Sequence, residues 1–270
     1  MQTPDPQAVL AILVEVAQSE ILPRFRTLGQ DAVRAKSHAH DLVTDADVEA
    51  ERVLTGRLAD LLPGSLVVGE EAVHARPEVL DRIGGAAPVW IVDPVDGTGN
   101  FVHGRPRFAT AVALTIGART VAGWIHDPLA GVTAVVEAGA GAWLYDSAGA
   151  AQRLAVSGQG QPLDALEASV TRKPRNLHGA FARVRRQGSA AHDYLALASG
   201  RLHVASFSRL MPWDHAAGVL LHAEAGGYGA LVDGTPYRPT LREGTILLAP
   251  DAATWQAVAA IYHAGMADSP

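Results

Sequence analysis

Residues 89–104, VWIVDPVDGTGNFVHG, constrain the fold more than any other stretch of the chain. Val89, Trp90, Ile91 and Val92 form a short apolar run, the pattern of a buried strand. The run stops at Asp93-Pro94-Val95-Asp96-Gly97-Thr98. Pro94 fixes its own φ and biases Asp93 toward an extended backbone, and Asp-Gly at 96–97 is a strong turn dipeptide. Two carboxylates three residues apart, on a rigid turn at the mouth of a buried strand, can converge on one point. A hard divalent cation such as Mg²⁺ takes oxygen ligands of this kind and keeps waters that a phosphate can displace. Taken alone, the same motif also describes a surface turn with solvated aspartates.

The flanking sequence supplies helices first and then strands. Asp5-Pro6 reads as a cap with proline in the first turn, and Val9, Ile12, Leu13, Val16, Ala17 and Ile21 follow helical spacing to about Leu22. Thr44 with Asp47 three residues on reads as a capping box for a second helix. Its expected inner face is Val48, Leu54, Leu58 and Leu61, and Pro63-Gly64 ends it. Between Phe108 and Tyr145 the runs FATAVALTIG, TVAGWIHDP, VTAVVEAG and AWLYDS, broken by Gly and Asp-Pro, predict an antiparallel meander. Beyond about Ser147 strands and helices mix: a helix over 188–200, a strand over 201–207, a helix over 214–226, the strand TILLAP, and a last helix capped by Asp251. Basic clusters at 171–175 and 183–186 read as solvated faces.

Composition narrows the function classes. A net charge of −6 argues against a general nucleic-acid binder, and the absence of cysteine excludes disulfides, thiol catalysis and zinc–thiolate sites. No basic segment precedes the first apolar run, Glu15 interrupts it, and no stretch approaches the ~18 apolar residues of a membrane span. The expectation is a cytoplasmic enzyme with neither membrane nor nucleic-acid partner.

Two further acidic positions belong with the central motif. Glu70, in Gly69-Glu70-Glu71, follows the apolar run 66–68, and Asp214, after Pro212-Trp213, opens an alanine-rich helix. In this order, GEE, WIxDPxDGTxNF and WDxAA resemble the inositol monophosphatase family of Mg²⁺-dependent, lithium-sensitive phosphatases, over about residues 36–227. The resemblance implies a mixed α+β and α/β fold, a layered αβαβα sandwich of the inositol monophosphatase and fructose-1,6-bisphosphatase type. It also implies a single phosphatase domain over 1–270, with an α+β half to about 147 and an α/β half from about 148, acting as a homodimer on a small phosphorylated metabolite.

The family's site residues carry over to matching positions. Glu70, Asp93 and the main-chain carbonyl of Val95 would hold an activating Mg²⁺, Asp93, Asp96 and Asp214 a second, and a looser third ion would sit near Glu70. Such ions lower the pKa of a water and neutralise the leaving oxygen. A Thr98–Asp47 pair would polarise the attacking water, although Asp47 also reads as a simple helix cap. The amides of Gly97 and Thr98 would cradle phosphate oxygens, and Gly188, Ser189 and Ala190 would line the substrate side. Glu71 is expected to orient its turn, Lys36 matches a family lysine, and His103 and His215 read as packing or hydrogen-bonding neighbours.

Two positions depart from the family pattern. Gly99 replaces the second threonine of DGTTNF, loosening the turn without removing a ligand. Phe207, seven residues before Asp214, stands where inositol-specific members carry a glutamate that binds ring hydroxyls, with Arg209 nearby. An apolar ring beside a cation suits a polyol poorly. Inositol 1-phosphate, histidinol phosphate and sugar phosphates are therefore all candidate substrates. The alternatives are a 3′(2′),5′-bisphosphate nucleotidase, against which Asn100 argues, and a catalytically silent metal-binding scaffold, against which the complete carboxylate set argues.

Overall fold

The computed structural model describes residues 3–27, 33–35, 42–171 and 174–267, so Lys36 lies outside the described residues. Helix α1 (Pro6–Val16) begins as expected: the Asp5 carboxylate accepts the Gln7 N–H at 3.0 Å, and Pro6 fills the first position, where no N–H is needed. It continues through a π-helical turn, Ala17–Ile21, into a 3₁₀ turn, Leu22–Arg24. A small antiparallel pair, β1 (Val33–Ala35) and β2 (Leu42–Thr44), leads into α2 (Asp45–Leu61). The capping box is present, with the Thr44 N–H donating to Asp47 Oδ2 at 2.8 Å. The buried face of α2 is Ala46, Ala50, Leu54 and Leu58, whereas Val48, expected there, is 39% exposed. Two residues past Ala46, at about 100° each, carry Val48 to the far side of the helix.

The first sheet has seven strands in sequence order: β3 (Leu66–Gly69), β4 (Val89–Asp96), β5 (Ala109–Ile116), β6 (Arg119–Asp127), β7 (Val132–Glu137), β8 (Gly141–Asp146) and β9 (Ala151–Arg153). β3 and β4 are parallel, linked through α3 (Glu70–Ala75) and a 3₁₀ segment, Pro77–Gly84. The short α4 (Thr98–Val102) joins β4 to β5, and from there the strands run as the expected antiparallel meander. Because β3 and β4 run the same way, with Gly69 opposite Val92, Glu70 and Asp93 leave the sheet at one edge.

The second sheet, in the order β11-β10-β12-β14-β13, contains β10 (Glu167–Ser169), β11 (Arg183–Val184), β12 (Val204–Phe207), β13 (Tyr228–Leu231) and β14 (Ile246–Ala249). Three helices accompany it: α5 (Ala190–Ala198), α6 (Pro212–Glu224) and α7 (Ala252–Ala267). The short strands β10, β11 and β13 have no clear sequence signature, since two to four residues give too little alternation to read.

Three apolar clusters fix the layers. Val9, Leu13, Leu54 and Leu58 of α1 and α2 pack on one face of the first sheet, against Trp90, Val112 and Trp124. Side chains of α5 and α6, among them Tyr194, Leu197, Ala217 and Leu221, fill the space between its other face (Ile91, Ala113, Ile125) and the second sheet (Ala205, Ile246, Leu248). On the far side of that sheet, Trp255 and Val258 of α7 cover Ala168, Val204 and Leu247. The order is the expected αβαβα. Gly123 of β6 admits this close packing, because a Cβ there would lie 2.9 Å from the Ala217 Cα on α6. No helix among the described residues is long and apolar enough to cross a membrane.

Candidate active site

The end of β4 is held rigidly. The Val95 N–H donates to Asp93 Oδ1 at 3.1 Å, Thr110 Oγ1 donates to the Pro94 carbonyl at 2.9 Å, and the pairing with β5 slips between Asp93 and Asp96. An irregularity at the end of a strand re-aims its side chains, here two carboxylates. Gly97 follows at φ 90°, and a Cβ there would meet the Arg107 carbonyl at 2.7 Å, so only glycine fits. Asn100, 7% exposed, donates from Nδ2 to the carbonyls of Arg107 (2.8 Å) and Gln187 (2.9 Å), tying this loop to the entry of α5. An ionised carboxylate there, which only accepts, could not supply those donors.

Carboxylate oxygens of Asp93, Asp96 and Asp214 lie within 4.8 Å of one another. β4 supplies the first two, and the first turn of α6 supplies Asp214. Glu70, at the start of α3, stands beside this triad rather than within it. Burial pushes the Asp93 carboxyl well above the usual range, and the charges of Glu70, Asp96 and Asp214 push it further. Asp96 is also raised by burial, against hydrogen bonds from Ser189 and the Ala191 and Ala190 amides. Neither Asp93 nor Asp96 has a lysine or arginine ion pair among the described residues. Two buried carboxylates this close, with no lysine or arginine paired to either among the described residues, are a costly arrangement that a bound cation relieves. An all-oxygen donor set fits a hard divalent ion rather than zinc or copper.

The Thr98 hydroxyl reaches Asp47 Oδ1 at 3.1 Å and the Val95 carbonyl at 3.0 Å. Asp47 is fully buried, and burial raises its pKa to about 7 against the opposing hydrogen bonds from Thr44. It therefore caps α2 through one oxygen and faces Thr98 through the other. One turn along α2, Glu51 accepts the N–H groups of Glu71 and Ala72, each at 2.8 Å, and caps α3 where Glu70 begins it. A Cβ at Gly69 would collide with the Glu51 carboxyl. Sequence reading misses Glu51, although its spacing of four from Asp47 on one helix face is a usable signal.

Asp96 and Asp214 open onto a cleft of ≈ 530 Å³ that Gly188, Ser189, Ala190, Phe207 and Arg209 also line. Ser189 turns its hydroxyl to Asp96 Oδ2. Phe207 stacks on Tyr194 with ring centroids 5.3 Å apart, and His215 closes against it at 4.9 Å. His215 is buried, with a pKa lowered to about 4 by burial. Its Nε2 donates to the Arg209 carbonyl at 2.7 Å, which leaves Nδ1 to accept from the Tyr194 hydroxyl at 3.1 Å. This neutral ring fixes the segment that carries both Phe207 and Arg209. His103, by contrast, is exposed and bonded to the Gly99 carbonyl at 2.6 Å. Among the cleft residues that sequence reading misses are Arg186, from a cluster read as a solvated face, and Asp193, held by Ser169 at 2.7 Å and Gln187 at 2.9 Å.

Comparison with known proteins agrees with this geometry. The family model described as the inositol monophosphatase family matches residues 5–265. An inositol-1-monophosphatase of Mycobacterium bovis is 37% identical over 220 residues, covering 73% of this chain and 71% of its own. A Thermotoga maritima protein named fructose-1,6-bisphosphatase/inositol-1-monophosphatase is 31% identical over 202 residues, covering 73% and 74%. In structure, the extragenic suppressor protein suhB of Bartonella henselae superimposes with a TM-score of 0.79 at 26% identity, covering 95% of this chain and 97% of that one. The chain belongs to the inositol monophosphatase family, whose members are phosphoric monoester hydrolases.

Proposed function

We propose that this phosphoric monoester hydrolase cleaves a small phosphorylated metabolite with the help of two or three Mg²⁺ ions. The observation that carries the proposal is the convergence of Asp93, Asp96 and Asp214 at the end of the cleft. Glu70, Asp93 and the Val95 carbonyl would hold one ion, and Asp93, Asp96 and Asp214 another. When bound, the ions activate a water and neutralise charge on the phosphate and leaving oxygens.

The chain's own groups do the rest. Asp47, anchored by Thr44, accepts the Thr98 hydroxyl hydrogen, which leaves the Thr98 oxygen to orient the attacking water by accepting a hydrogen bond from it. Amides at Gly97 and Thr98 open a helix and have no intrahelical acceptor, so they are available to phosphate oxygens. The leaving alcohol projects into the cleft past Gly188, Ser189 and Ala190, toward Phe207 and Arg209. A wall presented by Phe207 and His215, with Tyr194 stacked behind Phe207, is less suited to a polyol ring than a hydrogen-bonding wall would be, so histidinol phosphate and sugar phosphates stand beside inositol 1-phosphate as candidates. Arg186 and Arg209 in the cleft favour a second reading, a substrate with two phosphates such as a bisphosphate nucleotide or sugar bisphosphate. The chain would work in the cytoplasm as one catalytic unit, built from an α+β and an α/β half and assembled as a homodimer.

A panel of these metabolites, assayed for released phosphate with and without Mg²⁺, tests the proposal. Mg²⁺-dependent turnover of at least one, inhibited by millimolar Li⁺, is expected. No release from any of them with Mg²⁺ present would contradict it.

A further inference from the structure

From Asp96 a line of three side chains leads to the end of β6. The Ser189 hydroxyl donates to Asp96 Oδ2, Nδ1 of His192 lies 2.9 Å from Ser189 Oγ, and Nε2 of His192 lies 3.2 Å from Asp127 Oδ2. Asp127 ends β6 and is itself fixed by the Leu129 and Ala130 N–H groups at 3.0 Å each. Ser189 caps α5, and its Oγ accepts the His192 N–H at 3.2 Å. The side chains of His192 and Asp127 are 12% and 14% exposed.

Serine, histidine and aspartate in a row have the composition of a nucleophilic triad, but the hydrogen bonds run the wrong way for one. A serine hydroxyl has one hydrogen and two lone pairs. Here the hydrogen goes to Asp96, and both lone pairs are used, by the His192 amide and by Nδ1. No lone pair is left to attack a phosphorus, and Ser189 is 5% exposed. With Asp96 ionised, as a metal ligand must be, Nδ1 has to bring its own hydrogen to Oγ. Nε2 lies against the Asp127 carboxylate, which fixes the orientation of the ring.

Asp96 has reason to need such support. It is buried beside two like-charged carboxylates and, apart from Ser189, is held among the described residues only by the Ala190 N–H at 3.2 Å and the Ala191 N–H at 2.8 Å. We propose that His192 and Asp127 are positioning residues that hold the Ser189 hydroxyl on Asp96 Oδ2 and so keep the one remaining lone pair of that carboxylate, on Oδ1, aimed at the ion site. This rests on the metal-dependent reading above, and it assigns the pair to metal affinity rather than to contact with substrate. Residues that orient a ligand from behind typically carry 10–100-fold in metal affinity, to order of magnitude about the same here.

The test is calorimetric titration of Mn²⁺ into the metal-free full chain, without substrate, for the wild type, His192→Leu and His192→Asn. Asparagine keeps an N–H donor near the position of Nδ1, and leucine keeps only the bulk. The expected result is Mn²⁺ affinity about 10-fold or more weaker in His192→Leu and largely restored in His192→Asn. Affinity unchanged in His192→Leu, or lost equally in both variants, overturns the proposal, because packing alone would then account for the residue. Should His192→Leu not fold, Asp127→Asn serves: severalfold weaker affinity supports the pair, and wild-type affinity overturns it. A wild-type chain that binds no Mn²⁺ would instead sink the metal-dependent reading itself.

Discussion

The Thr98 hydroxyl lies 3.1 Å from Oδ1 of Asp47, a contact between the helix after β4 and the first turn of α2. Asp47 is buried and committed through its other oxygen to Thr44, so it cannot rotate away. A hydroxyl held this way is oriented before substrate arrives. Thr98→Ala should lower kcat by ~10²–10⁴-fold, the range for a positioned proton-transfer group, with KM little changed, and Thr98→Ser should keep most of the turnover. Steady-state kinetics on any accepted monoester checks this; wild-type kcat in Thr98→Ala would contradict it.

Asp93 combines full burial with four carboxylate neighbours, Glu70, Asp96, Asp214 and Asp47, that oppose its ionisation. Asp93→Asn removes a charge that the metal-free fold tolerates poorly, and it also removes a ligand. Turnover should fall by ~10²-fold or more, while the metal-free protein melts at the same temperature or a few degrees higher. Differential scanning fluorimetry in EDTA beside a phosphate-release assay gives both numbers. A variant that melts lower and still turns over normally would show the residue to be structural.

Stability should depend on pH in a sign-specific way. Burial raises Asp47 and Glu51 to about 7, so their contribution is complete below the unfolded carboxylate values and is lost as pH rises through about 7. Burial also lowers His126, His215 and His222 to about 4, so theirs is complete above the unfolded value of 6.5 and is lost as pH falls through about 4. Below 6.5 the two sets oppose each other, and above it only the carboxylates change. The metal-free protein should therefore hold its Tm between roughly pH 5 and 6.5 and lose it toward pH 8, and Mg²⁺ should suppress that loss. A Tm in EDTA that climbs from pH 6.5 to 8 would contradict the assignment.

Phe207 sits in an aromatic stack with Tyr194 and His215 at the wall of the cleft. Phe207→Glu places a hydrogen-bond acceptor where a polyol ring would lie. The ratio of kcat/KM for inositol 1-phosphate to that for other monoesters should rise by about tenfold, the worth of one well-placed polar contact. An unchanged ratio would remove Phe207 from specificity.

Much of the site is legible in the sequence because its carboxylates sit at sharp transitions: the end of an apolar run for Asp93, a Gly-Glu-Glu break for Glu70, a Pro-Trp-Asp helix start for Asp214. The meander and the capped helices are legible for the same reason, since periodicity and punctuation are local. Residues whose role depends on what the fold brings near are not. Asn100 reads as a family motif letter, and only the fold shows its amide bridging to the carbonyls of Arg107 and Gln187. Arg186 reads as one of a charged run until β11 and α5 turn it toward the cleft. His192 is an unremarkable helical position in sequence, and its meaning comes from Asp127, 65 positions away.

The central claim is that Asp93, Asp96 and Asp214 form one cage for divalent ions, and crystals soaked in Mn²⁺ test it most directly. Anomalous density is predicted among those three carboxylates, with a further peak toward Glu70 and the Val95 carbonyl. Well-ordered crystals showing the three side chains in place and no anomalous peak between them would contradict it.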